Sequence, residues 1–228
     1  MKILGIETSS PLFSLAINDD EKIVCEIRKN RTMYAGSRDA QFFTEAERLM
    51  ETFKNQQIDA IAVSIGPGMF TSLRIGLSLA KGIAFAKNIP VVAVNTLDII
   101  GISAAFFDHP VIAVIDAYHQ EVYAALYRKN NRVTDHLLIS PKKIEQIVTG
   151  RTVVVGSGVE VLRKCEALGS NKDLIYISDG SFLPVATKVI KIALPLIEAG
   201  KFDDVETLEP FYIKKTDAER NYDKTNAV

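Results

Sequence analysis

The 228-residue chain carries 27 basic and 28 acidic residues, a net charge of −1, so no overall field draws phosphate backbones or anionic lipid to it. A hydrophobic content of 47% excludes a disordered chain and allows one domain or two lobes of roughly 100 residues each. Two cysteines, Cys25 and Cys165, lack C-x-x-C spacing, which fits reduced thiols in a cytoplasmic protein and speaks against a disulfide or a metal site.

The opening M-K-I-L-G-I-E-T is too short an apolar run for a signal peptide and leads straight into strand-like sequence. No stretch holds the ~20 uninterrupted apolar residues that span a bilayer, so no membrane contact is expected. Residues 2–7, 13–17 and 22–27 read as a three-stranded meander whose first strand is apolar on both faces and therefore central. A helix over 38–54 follows, with Phe42, Ala46, Leu49 and Phe53 on one stripe.

Residues 58–65 form a strand that stops at Gly66-Pro67-Gly68, and a helix over 71–87 follows, with Thr71 or Ser72 as its N-cap. At spacing four, Ser72, Gly76, Ala80 and Ala84 make a ridge of small side chains. Glycine at 76 costs about 1 kcal/mol of helix propensity, so the ridge implies close packing against another backbone. The pattern allows a tightly packed core helix, and it also allows a subunit interface built from this ridge with Leu77 and with Phe42, Ala46 and Leu49 of the preceding helix. A short strand at 91–94 and a helix at 96–107 complete the first half.

After His109-Pro110 the pattern restarts. Ile3 to Glu7 lies over Ile112 to Asp116, and Leu15-Ala16-Ile17 over Ala124-Ala125-Leu126 with the same offset, which reads as a duplication. Strands at 121–127 and 133–139, a helix after Ser140-Pro141, a strand at 152–156, a helix to Leu168, a strand at 174–177 and a helix over 184–199 follow. The expected organisation is an N-terminal lobe (1–108), a C-terminal lobe (109–213) and a polar tail (214–228) that is mobile or ordered only by contact. A twofold repeat of meander, helix, strand and helix, each opening on a strand that ends in an acid, describes an α/β actin-like (ASKHA, ribonuclease H-like) duplicated two-lobe fold.

Phosphate loops of that architecture need an acid with glycines beside it, yet the turns after Glu7 and Asp116 have none. Gly156-Ser157-Gly158 is only a G-x-G, and Gly66-Pro67-Gly68 lacks the lysine-serine ending of a P-loop. Candidate anion or nucleotide contacts are Gly66, Gly68, Thr71, Arg74, Glu7, Asp116, Gly156 and Gly158. His109, His119 and His136 lack helical metal-pair spacing, and no nucleophile elbow is present. No catalytic centre, metal or cofactor is expected.

Five blocks, I-L-G-I-E-T-S-S, G-P-G-M-F-T-S-L-R-I-G-L-S-L-A-K-G, V-V-A-V-N-T-L-D, D-A-Y-H-Q-E-V-Y and L-E-P-F-Y-I, closely resemble the bacterial TsaB (YeaZ) family over nearly the whole chain. The resemblance implies an actin-like, non-catalytic subunit of the machinery that makes threonylcarbamoyladenosine in tRNA. It further implies docking of the catalytic paralogue TsaD through the two N-lobe helices, recruitment of the ATPase TsaE, contact with tRNA through that complex, and a homodimer when TsaD is absent. The family usually carries aspartate at Glu7, serine at Met69, glycine at Ser72 and arginine at Tyr118. The alternative from the fold alone is an independent nucleotide-dependent kinase or transferase using Glu7, Asp116 and Gly156-Ser157-Gly158.

Overall fold

The computed structural model describes residues 1–20, 22–30, 38–178 and 180–214. The three opening apolar runs form an antiparallel meander, β1 (Lys2–Glu7), β2 (Leu12–Asp19) and β3 (Lys22–Asn30). Helix α1 (Arg38–Thr52), strand β4 (Ala60–Gly66), helix α2 (Phe70–Lys87) and strand β5 (Val91–Asn95) complete a five-stranded sheet ordered β3-β2-β1-β4-β5. Strand β1 sits at its centre and is buried from Ile3 onward, because its continuous apolar run can satisfy a layer on each face.

A second sheet repeats the plan with β6 (Val111–Asp116), β7 (Val122–Arg128), β8 (Asn131–Arg132), β9 (Leu137–Ile139), β10 (Thr152–Val155) and β11 (Leu174–Ile177). Its order is β11-β10-β6-β7-β8, with β9 also on β7, so in both sheets the opening strand lies between its hairpin partner and a parallel strand. The duplication is thus written in the topology, although the offset slips by one residue. Gly5 faces Ala16, whereas Val114 faces Ala124 rather than Ala125, since the second hairpin is one residue tighter.

The layers are shared between the repeats. Helices α1 and α2 cover one face of the first sheet, joining Leu4, Ile6, Phe13, Phe42, Leu49 and Leu77 in one cluster. The opposite face packs on α6 (Ala186–Glu198), which comes from the second repeat and whose Val189 and Ile190 join Ile3, Ala16 and Ala62. Helix α3 (Thr96–Ser103) lies between the sheets, with Ile99 in the first core and Leu97 and Ile100 in the second. The expected helix after Pro141 is a 3-10 stretch, Pro141–Gln146, and the one expected to reach Leu168 is split into α4 (Val159–Arg163) and α5 (Glu166–Gly169).

From residue 201 the chain returns as a strap across both lobes. The Asp203 amide donates to the Val91 carbonyl at 2.9 Å, and its carboxylate accepts from the Ala93 amide at 2.8 Å. Lys81 donates to the carbonyls of Glu206 and Leu208, and the Phe211 amide to that of Ile65. The strap ends at Lys214, only 8% exposed, which donates to the Ala117 carbonyl at 3.0 Å and lies 2.9 Å from Glu121. Lys214 therefore belongs to the folded body and not to the expected polar tail, whose remaining residues lie outside those described.

Beside the strap, a polar cluster ties α3 to the second sheet. The hydroxyl of the fully buried Tyr127 donates to Asp98 at 2.7 Å, and His136 lies 3.1 Å from the same carboxylate oxygen. Burial alone pushes the Asp98 carboxyl up, but the bonds from His136 and Tyr127, with the nearby charge of Arg132, outweigh it and hold it below its ordinary value of 3.8. A depressed carboxyl adds stability above its unfolded pKa that is lost as pH falls through the folded one. Stability should therefore decline as pH drops below about 4, and in Asp98→Asn acid urea melts should show a flatter decline than wild type.

Candidate functional site

The glycine-rich turn and the start of α2 are packed against the β1–β2 turn of the same chain. A side chain on Gly68 would come within 2.3 Å of the Ser9 carbonyl, which already accepts from the Met69 amide at 2.9 Å. A side chain on Gly76 would reach 2.2 Å from Thr8 Oγ1. Gly66, with φ +113°, ends β4 in a backbone conformation suited to glycine, beside Leu73 and the Phe211 carbonyl. These glycines serve close packing of chain on chain, with Ser9 against Gly68 and Thr8 against Gly76. Helix α2 begins after Met69 without a side-chain cap; Ser72 is buried and Thr71 lies within the helix, so neither caps it as expected.

The residues expected at a partner interface need correction. Phe42, Ala46, Leu49, Ser72, Gly76, Leu77, Ala80 and Ala84 are all buried within the single chain, facing the first sheet. The small ridge exists, but its partner backbone is that of the β1–β2 turn and the sheet. What α2 turns outward is a different stripe: Ser78, Gly82 and Phe85 are exposed, and Ile75, Leu79 and Ile83 are half-buried. Phe85 is 82% exposed. On α1 the neighbouring Phe43 is exposed and Met50 half-buried. A side chain built on Gly82 would meet nothing within 4 Å, so inside this chain the glycine costs about 1 kcal/mol of helix propensity with no packing in return.

The eight candidate anion or nucleotide contacts divide. Glu7 is fully buried and folds onto its own turn, accepting from the amide and hydroxyl of Ser9. Arg74 points along the helix surface, donating to the Tyr212 hydroxyl at 2.8 Å, while the Tyr212 ring stacks on Phe70 with centroids 4.6 Å apart. Gly156, with φ +110°, lies where a side chain would strike the Val114 carbonyl at 2.2 Å, and Gly158 packs against Ile115. Only Gly68, Thr71 and Asp116 line the cavity between the lobes, together with Ser157 from the G-x-G turn.

That cavity measures about 760 Å³ and is walled by the β1–β2 turn, the start of α2, the β6–β7 turn and the strap's last residue. Asp116 accepts from the Tyr118 amide at 2.8 Å, and burial pushes the hydroxyl of the lining Tyr123 up, away from acid–base work near neutral pH. Sequence reasoning gave no site role to Tyr212 or to the Asp98–Tyr127–His136 cluster and did not place Lys214 at the cavity. Asp98 and Tyr212 do fall in two of the five blocks, but spacing could not pair them, because each of these residues finds its partner on an element more than 20 residues away. Among the described residues no group of three or more His, Cys, Asp or Glu side chains could hold a metal, and no helix is long and apolar enough to cross a membrane.

Comparison with known proteins places this geometry. The family model described as TsaD, tRNA N6-adenosine threonylcarbamoyltransferase, matches residues 42–193. The tRNA threonylcarbamoyladenosine biosynthesis protein TsaB of Escherichia coli is 28% identical, with 94% of this chain and 95% of that protein covered. TsaB of Bacillus subtilis is 27% identical over 72% of this chain and 67% of its own. The solved structure of YeaZ from Pseudomonas aeruginosa superposes with a TM-score of 0.74 at 24% identity, covering 92% of this chain and 100% of that one, and shares the fold. With this duplicated actin-like α/β topology and more than half its length matched by the transferase model, the chain belongs to the TsaD family and, within it, to the TsaB (YeaZ) group.

Proposed function

We propose that this chain is a non-catalytic partner subunit in threonylcarbamoyladenosine biosynthesis on tRNA, docking a TsaD-like transferase through the outward faces of α1 and α2. The observation that carries the reading is the outer stripe of α2. Exposed Phe85, half-buried Ile75, Leu79 and Ile83, and a glycine with empty space above it are suited to the close approach of another helix. In the absence of that partner, a second copy of the chain can cover the same stripe and give a homodimer. The TsaE-like ATPase and tRNA are reached through the assembled complex in the cytoplasm. A non-catalytic role is supported by the lack of glycine in the turns after Glu7 and Asp116 and by the engagement of Glu7 with Ser9 and of Arg74 with Tyr212.

The test is a reconstituted reaction containing tRNA, a TsaD-like transferase with its threonylcarbamoyl donor, a TsaE-like ATPase and this chain. Modified adenosine should form in the full mixture, fall to background without this chain, and not form with this chain as the sole protein. Modification by the chain alone would show it to be the enzyme. Undiminished modification in its absence would remove the partner role.

A further inference from the structure

The inter-lobe cavity has a charge and a lining of its own. Among its described lining residues the only lysine or arginine is Lys214, and that ammonium is already matched by the Glu121 carboxylate at 2.9 Å and the Ala117 carbonyl. Asp116 also lines the cavity; its carboxylate accepts from the Tyr118 amide and forms no ion pair among the described residues. The first turn of α2 presents a partial positive charge there, roughly half an elementary charge, which does not cancel a full carboxylate. The remaining wall is largely apolar and aromatic, including Phe70, Tyr118 and Tyr123.

We infer that this cavity is a binding site for a small organic cation, an ammonium or guanidinium carried on an apolar or aromatic body, and that it rejects polyphosphates. Its volume of about 760 Å³ falls within the roughly 300–1,000 Å³ of small-molecule sites, which combine an apolar wall with a few placed polar groups. Asp116 supplies the opposite charge, and the ring faces add cation–π attraction for the same ligand. A metal-free triphosphate would meet an uncompensated carboxylate in the same space, with no free lysine or arginine among the described lining residues to offset it, and the turn after Asp116 lacks the glycine amides that would hold a magnesium triphosphate.

Titration calorimetry with tryptamine, its neutral isostere tryptophol, the anion indole-3-propionate and magnesium ATP tests the assignment on the whole chain. Tryptamine should bind saturably and about tenfold or more tighter than indole-3-propionate, with tryptophol between them. Asp116→Asn keeps an oxygen for the Tyr118 amide, so it should melt as wild type does while the gap between cation and anion closes to about twofold. Tyr118, 62% exposed, can be replaced without touching the core, and Tyr118→Ala should weaken tryptamine several-fold. Absence of tryptamine binding at millimolar concentration, equal binding of cation and anion, a gap that persists in Asp116→Asn, or ATP binding tighter than tryptamine would each overturn the assignment.

Discussion

Alanine at Gly76 should destabilise the protein by about 2 kcal/mol, while alanine at Gly82, six positions further along the same helix, should stabilise it by up to about 1 kcal/mol. The two glycines have the same helix propensity and differ only in what lies above them. A methyl at 76 would sit 2.2 Å from Thr8 Oγ1, 2.9 Å from its Cγ2 and 3.1 Å from its Cβ, so rotating the threonine brings no relief. Thr8 is fully buried and its hydroxyl has no hydrogen-bond partner among the described residues, so truncating it vacates space at little polar cost. Thr8→Ala should therefore rescue Gly76→Ala, and the coupling in a double-mutant cycle from urea melts should exceed about 1 kcal/mol. Additive single effects would mean that the helix does not bear on this turn.

Phe85→Asp and Gly82→Arg should each weaken association with a TsaD-like transferase by about 100-fold or more, without lowering Tm by more than a degree or two. Phe85 is 82% exposed and nothing in the chain lies within 4 Å of a side chain built on Gly82, so neither change disturbs the free fold. In a docked helix pair the same positions would place a carboxylate in an apolar seam and a guanidinium where two backbones approach. Homodimer mass in light scattering should fall in both variants as well. The buried ridge behaves oppositely: Gly76→Leu should lose the fold and the partner together, so loss of binding there says nothing about the interface.

The fold was legible because its signals are local and repeated. A doubly apolar opening strand, alternating hairpins and glycine-bounded helices occur twice, and they led to the duplicated actin-like α/β fold, with its first strand at the centre of the first sheet. The proposed interface was harder to read from the sequence for a geometric reason. Spacing four identifies a ridge that some backbone approaches, but does not say whose. Gly76 and Gly82 point roughly 120° apart around α2, and only tertiary structure shows the first meeting Thr8 and the second meeting nothing. Likewise, the glycines at 66, 68, 156 and 158 look like parts of an anion loop in sequence, whereas in space each lets one segment of chain lie against another. Lys214 stands at the start of a polar stretch in sequence, and only the strap's return across both lobes delivers it to Glu121.

The most direct measurement is methyl cross-saturation, with isoleucine, leucine and valine methyls labelled in this chain and an unlabelled TsaD-like transferase added. Intensity should fall at Ile75, Leu79 and Ile83 on the open flank of α2 and remain at Val133 and Val161 in the second lobe. Saturation centred on the second-lobe methyls, or on none, would contradict docking through the first-lobe helices.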